Sequence, residues 1–461
     1  MSLVLFVVLV YVGLQLALGM WVSRRVKSQT DYLLGGRSLG MTLCTASMFA
    51  TWFGAETCIG AAGEVYAHGL TAVSADPFGY GICLILFGVF VAAELRKRNY
   101  TTLADLFGER FSRPVERLVA VMMLPGSVLW AAAQIRAFGH VFASASQGLD
   151  PTLGIALAAA ITIAYTASGG LLADVYTDLL QGSVLVLTLV ALAAVVFFRV
   201  GALPDVLGQG SGPSGEATVA GSFVTLNDWA VPIAGSLFTQ EIISRAVASK
   251  TPVIARRSAI AGGVIYLVLG TLPVLLGLVA RELLPPTDSE QVLPVLSRHV
   301  LGDVGFVILA GTLVSAILST VDSALLACGA FIVQNVLGER ARSLSDRARL
   351  RISRFSVIGL GVLAFGIATQ GSSVHALVAE SGALGSAGIF VAGVLGLFTR
   401  FGGARAALLS LILGAGTYVY AKHVLESDVA YLASIAGALL GYALGAAFGQ
   451  RGTDRVSLSA G

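Results

Sequence analysis

Residues 49–63, FATWFGAETCIGAAG, hold the feature from which the architecture follows. They sit inside an apolar run, 41–67, long enough to cross a bilayer as one helix, yet they carry an acid, Glu56, among Gly54, Gly60 and Gly63. An ionised side chain at the centre of a membrane helix costs roughly 2.5–3.5 kcal/mol or more, so Glu56 needs a reason to be there. Glycines allow close helix packing. They also mark a helix that breaks in mid-membrane, where freed carbonyls and helix ends hold an ion or a polar solute. Five spans later the run 229–249 has a similar interior, with Pro232, Gly235, Thr239, Gln240 and Glu241. Two interrupted helices at matching positions predict two five-helix halves of opposite orientation, with a binding site between them at the bilayer midplane.

The composition agrees. The 461 residues are 56% hydrophobic and 12% charged, with a mean hydropathy of +0.85, which excludes a water-soluble globule, a disordered chain and a nucleic-acid binder. Runs long enough to span occur at about 2–22, 41–67, 70–93, 115–146, 152–168, 179–198, 229–249, 259–281, 303–336, 355–370, 379–398, 406–421 and 429–448, thirteen in all. The first has no basic stretch ahead of it and is read as a helix rather than a cleaved signal. Cys44, Cys58, Cys83 and Cys328 lie in apolar stretches without C-x-x-C spacing and read as small core residues.

Alternating the spans puts 23 of the 29 basic residues on one side of the membrane. The other side keeps Arg199, Arg281, Arg298 and Lys422, while Arg136 and Arg245 fall within spans. The positive-inside rule then places the amino terminus outside and the carboxyl terminus in the cytoplasm, as a multi-pass protein of the cell's inner (plasma) membrane. No connector is large enough for a soluble domain. The longest, 201–228, contains the loop-like GQGSGPSGEA at 208–217. Whatever the protein does, it does inside the lipid bilayer.

The remaining signals are charges that a membrane disfavours and aromatic rings set among small residues. Besides Glu56 they are Asp76, Arg136, Asp178, Glu241, Arg245 and Asp322. In SAILSTVDSALLA (315–327), helical spacing puts Ala316, Ser319, Thr320 and Ser323 on one face, with Asp322 a turn beyond Ser319. Oxygen donors without Cys or His suit a hard cation. Asp178 stands just before the run 179–198, where an acid also suits a helix amino terminus. Glu241 and Arg245, four apart, predict a mutual ion pair. Trp52, Tyr80 and Trp130, each beside small residues, offer three aromatic faces for a cation. An intramembrane hydrolase using Asp178 and Asp322 as a dyad is a competing reading, but neither acid lies in a G-x-G-D setting and no H-E-x-x-H is present. A channel is disfavoured by the lack of a filter-like loop.

Four segments together resemble the sodium/solute symporter family: DYLLGGRSLG (31–40) leading into FATWFGAETCIGAAGEVY (49–66), TASGGLLADVYTDLLQG (166–182), LFTQEIISRAVAS (237–249) and ILSTVDSALLA (317–327). The resemblance implies an all-α polytopic fold of thirteen transmembrane helices with a LeuT-type 5+5 inverted repeat. The repeats would be 31–200 and 229–400, joined by the external loop 201–228, with one extra helix in 1–30 and two more plus a cytoplasmic tail in 401–461. It implies a symporter, not an enzyme, driven by sodium (Na+) and importing a small organic solute by alternating access. The family's sodium site maps onto Ala50, Phe53, Ala316, Ser319 and Thr320, and a second ion found in some members onto Asp178, Ser319, Asp322 and Ser323. Within the family, ATWFGA, DPFGY, LWAAAQ and STVDSALLA resemble the high-affinity choline transporter branch, which puts Trp52, Tyr80 and Trp130 at aromatic positions of a quaternary-ammonium cage and Thr239 at a fourth. Glu56, Asp76 and Gln240 complete the expected solute contacts, and the charge of Glu56 and Asp76 favours a cationic or amine-bearing solute. Proline, sugars and carboxylates are carried by other relatives, and a proton in place of sodium is a further alternative.

Overall fold

The computed structural model describes residues 28–54, 56–70, 75–145, 150–200, 219–370 and 373–453, with a few isolated residues before 23. The expected span 2–22, the loop sequence 208–217 and the tail beyond residue 453 lie largely or wholly outside the described residues.

Helices begin where polar side chains can cap them. Ser28 and Asp31 form a reciprocal capping box ahead of Gln29–Leu34, and Thr102 with Asp105 does the same for Leu103–Arg110. Thr251, Ser345 and Ser373 each accept a first-turn amide at the starts of Pro252–Leu283, Asp346–Ala368 and Val374–Ala383. Among the described residues the regular secondary structure is helical apart from one bridge, Leu39 with Ser249. Eight helices among the described residues are long and apolar enough to cross a membrane, or nine when Val374–Ala383 and Ser386–Phe398, bent by 41°, count as one. Met41–Ala50 and Pro151–Ala167 are shorter apolar helices.

One boundary differs from the sequence reading in a way that matters. The expected connector between 168 and 179 is reduced to a single kink at Gly170 (φ 70°, ψ 177°), inside a helical stretch running Pro151–Val200. A non-glycine residue rarely adopts that φ, and a Cβ there would meet Tyr32 at 2.6 Å. The following span therefore starts at Gly170 rather than 179, so Asp178 sits within the helix instead of ahead of it. It also brings Asp174 into the membrane, one turn before Asp178.

Burial separates centre from rim. The segment Ser289–Val336 is buried over 88% of its apolar window, against 22% for Asp346–Ala368. The first is a central pillar and the second offers its apolar surface outward, as a lipid-facing helix does. The connectors cluster at two ends. At one, Arg37 binds the Asn99 side chain and the Tyr100 carbonyl, Arg96 binds the carbonyls of Ser249 and Lys250, and Arg110 binds those of Thr399, Phe401 and Gly402. At the other, Tyr66 meets Pro285, Glu290 accepts from Val374 N, and Asn227 accepts from Tyr431 N. The first is the basic end expected from the charge pattern.

Candidate functional site

Both interrupted runs are broken as their glycines suggest. In the first, the helix Met41–Ala50 stops and a π turn, Glu56–Ala61, leads into Ala62–His68. Between them Gly54 N turns back to the Trp52 carbonyl at 2.9 Å, and helical bonding resumes with Cys58 N to Gly54 O at 3.0 Å. These bonds pass over the carbonyls of Ala50 and Phe53. Tyr266, fully buried on Pro252–Leu283, braces the break: its hydroxyl donates to Trp52 O at 3.2 Å and shares a 2.5 Å hydrogen bond with Thr57 Oγ1. In the second, a π turn at Val231–Gly235 precedes an extended Thr239 (φ −74°, ψ 142°), which starts Gln240–Ala248. A Cβ on Gly235 would lie 2.3 Å from Gly382 O, so this break packs directly on the bend that follows Ala383.

The first break rests on the central pillar. A Cβ on Gly54 would stand 2.9 Å from Thr320 Oγ1 and 3.5 Å from the Ala316 carbonyl oxygen. Thr320 donates its own hydroxyl proton to Ala316 O at 3.0 Å, which leaves its lone pairs for another partner. Ser319 Oγ is buried with no hydrogen-bond partner. Oxygen atoms from the broken segment and from the pillar therefore share one neighbourhood, and one of them is unmet.

Beside it lies a buried charge cluster, only part of which the sequence revealed. Arg245, wholly buried, does not pair with the Glu241 carboxylate as its spacing predicted. It takes the Glu241 backbone carbonyl at 3.0 Å, and Glu241 accepts instead from Ser127 Oγ at 2.9 Å. The guanidinium reaches Asp174 at 2.8 Å, Asp178 at 3.2 Å, Ser323 at 2.6 Å and Ser47 at 2.8 Å. Ser47 also donates to Asp178, and Thr166 donates to Asp322. Three buried carboxylates thus share the neighbourhood of one cation, which bonds two of them, Asp174 and Asp178. Asp174 Oδ1 and Asp178 Oδ1 are both buried and unmet, like Ser319 Oγ. Arg136, also without a legible partner in the sequence, faces Glu290 at 3.9 Å. Asp174, Tyr266 and Ser47 went unread because each needs a partner far along the chain, though the four-residue spacing of Asp174 and Asp178 was a usable signal.

The expected solute residues fall in three places. Glu56, Asp76 and Tyr80 line a cleft of about 520 Å³ with Asp228, Glu380 and Lys422, at the end opposite the basic connectors. Trp52, Trp130 and Thr239 line a separate hollow of about 60 Å³ beside Ser127, Ser236 and Glu241. The first volume lies in the ordinary range for small-molecule sites and the second holds only a few waters. The rings nonetheless form one wall, with Trp52 and Tyr80 centroids 5.2 Å apart and Tyr80 and Trp130 6.4 Å apart, both edge to face. Gln240 joins neither space. It accepts from Leu103 N at 2.8 Å and donates to Thr101 O and Ser244 Oγ, tying the second broken helix to Leu103–Arg110.

Two broken spans packed on a buried pillar, with oxygen donors and acids at the crossing and a cleft at one end, are the build of a membrane carrier. The sodium:solute symporter family matches residues 32–414 of this chain, and the chain belongs to that family. It is a sodium-coupled transporter and not an enzyme. The high-affinity choline transporter 1 of Caenorhabditis elegans is 26% identical over 396 residues, covering 78% of this chain and 68% of that protein. Its Drosophila melanogaster counterpart is 27% identical over 404 residues, covering 82% and 63%, so the chain spans about two thirds of these relatives' length. The high-affinity proline transporter PutP of Bacillus subtilis is 24% identical over 438 residues, covering 90% and 91%. A solved outward-open, substrate-bound sodium-coupled sialic acid symporter shares the fold, with a TM-score of 0.81, 17% identity and coverage of 97% and 98%.

Proposed function

We propose that this protein imports a small cationic or amine-bearing solute across the plasma membrane by alternating access, driven by sodium held between the first broken helix and the central pillar. In this reading the chain has thirteen spans, with residues 31–200 and 229–400 as inverted five-helix repeats, an additional helix within 1–30, the external connector 201–228 and two further helices in 401–461. The basic end faces the cytoplasm, and the amino terminus lies outside. The observation that carries the sodium site is the contact of Gly54 with Thr320 and Ala316, next to the unmet Ser319 hydroxyl. Sodium would take the carbonyls of Ala50, Phe53 and Ala316 and the hydroxyls of Ser319 and Thr320. Bound there, it ties two mobile parts together and favours the state that binds solute, which is coupling in the thermodynamic sense.

A second cation is proposed at Asp178, Asp322, Ser319 and Ser323. Arg245 neutralises one of three buried carboxylates, and burying uncompensated charge is costly, so the cluster favours one more cation, sodium or a proton. Trp52, Tyr80 and Trp130 form the aromatic side of the solute site with Thr239 beside them, Glu56 and Asp76 its acidic side, and Gln240 its link to the basic end. The cleft lies at the end opposite the Leu39–Ser249 bridge and Arg96, which close the basic end, so with the basic end in the cytoplasm this arrangement faces outward. Uptake into proteoliposomes tests the reading: accumulation should require an inward sodium gradient and be electrogenic for a cation. Flux indifferent to sodium would overturn it.

A further inference from the structure

The proposal here rests on the symport reading and concerns the chemistry of the solute. Glu56 is 1% exposed and both of its carboxylate oxygens lack a hydrogen-bond partner, as do both buried oxygens of Asp76. The Tyr80 hydroxyl stands beside Glu56 without meeting hydrogen-bond geometry. Two other acids of the same cleft are differently placed: Glu64 has His68 at 2.9 Å, and Glu380 has the Tyr418 hydroxyl at 2.8 Å and His423 at 3.5 Å. A buried carboxylate with no donor bears the full desolvation cost of its charge, so these two oxygen pairs are set for a partner that the chain itself does not supply.

A quaternary ammonium cannot be that partner in full. Its methyl groups suit an aromatic wall, but it has no N–H to give, and four carboxylate oxygens would stay unmet. A primary ammonium offers three donors and one charge. A molecule with two such groups matches both carboxylates in charge and in donors, and the cleft of about 520 Å³ has room for it. We propose that the solute is an organic cation carrying N–H donors, with an alkyl diamine the best match to Glu56 and Asp76.

The test uses the full-length purified protein with radiolabelled 1,4-diaminobutane as probe and choline and proline as competitors, with and without sodium. Sodium-dependent binding of the diamine is expected, with choline and proline competing about tenfold or more less well, the scale of a lost charged hydrogen bond. Glu56→Gln and Asp76→Asn should each weaken diamine binding by about tenfold or more, while thermal stabilisation by sodium alone persists and shows that the variants are folded. Diamine binding unchanged in both variants, or choline or proline binding more tightly than the diamine, overturns the inference. If sodium drives uptake of proline or choline instead, the inference falls and symport stands; if sodium neither stabilises the protein nor drives any flux, symport falls too.

Discussion

Ser319 and Thr320 differ in what their hydroxyls already do, and this sets what their loss should cost. Thr320 keeps a bond to Ala316 O, whereas the Ser319 hydroxyl stands beside the Asp178 carboxylate without meeting hydrogen-bond geometry, so its oxygen lone pairs are open to an ion. Removing one oxygen ligand weakens a hard-cation site without dismantling it. Ser319→Ala and Thr320→Ala are each expected to raise the sodium concentration for half-maximal uptake by about tenfold, equivalent to roughly 1.4 kcal/mol; sodium titrations of transport in vesicles check this. Arg245 is a different case. Removing it leaves Asp174 and Asp178 facing each other in a dry interior, and breaking a buried charge network typically costs about 3–5 kcal/mol. Arg245→Ala should lower the melting temperature of the purified protein markedly, and Asp174→Asn in the same chain should recover part of the loss. Equal melting of Arg245→Ala and the parent protein would show that the cluster is wet or already neutral.

Helices in this chain are defined as much by their breaks as by their lengths. Gly170 illustrates the point, since its left-handed backbone separates two spans with no loop between them, and Tyr32 fills the space where a side chain would go. Gly170→Ala combines a strained φ with a 2.6 Å overlap, and it should destabilise the fold by about 1–3 kcal/mol, visible as a lower melting temperature. The sequence already disclosed that runs 41–67 and 229–249 break, because glycine, proline and an acid inside an apolar run leave few alternatives. It misplaced the span after Gly170, since LLADVYTD reads as a polar connector when its polar groups have no visible partners. Asp174 is tolerated in a membrane helix only because Arg245 and Ser323 reach it from other spans. The i, i+4 pair expected of Glu241 and Arg245 failed for the same reason: two distant acids, Asp174 and Asp178, take the guanidinium instead of the nearby one.

Alternating access requires that one end be open while the other is shut. The cleft holding Glu56 and Asp76 reaches Asp428, which is exposed, and the basic end is latched by Leu39, Arg96 and Ser249. Cys44, Cys58, Cys83 and Cys328 are all buried, so an added cysteine can report on the cleft with little background. Asp428→Cys in intact cells should react with a membrane-impermeant thiol reagent from outside, and sodium together with solute should slow the reaction several-fold. Labelling from the cytoplasmic side alone would reverse the proposed orientation.

Read alone, the chain established that this is a helical membrane protein, that two of its spans are interrupted, and that its loops are sorted by charge. All three follow from local composition, because a bilayer penalises polar groups wherever they fall along a helix. It also singled out Ser319, Thr320 and Asp322 by helical spacing. Only the folded arrangement could reveal that Arg245 serves Asp174 and Asp178, that Tyr266 braces the first break, and that Glu56 and Asp76 open on one cleft while Trp52 and Trp130 line another. Those pairings join residues up to 214 positions apart. They exist because a buried charge or hydrogen-bonding group must find its complement across helices, and one-dimensional periodicity carries no record of which helices meet.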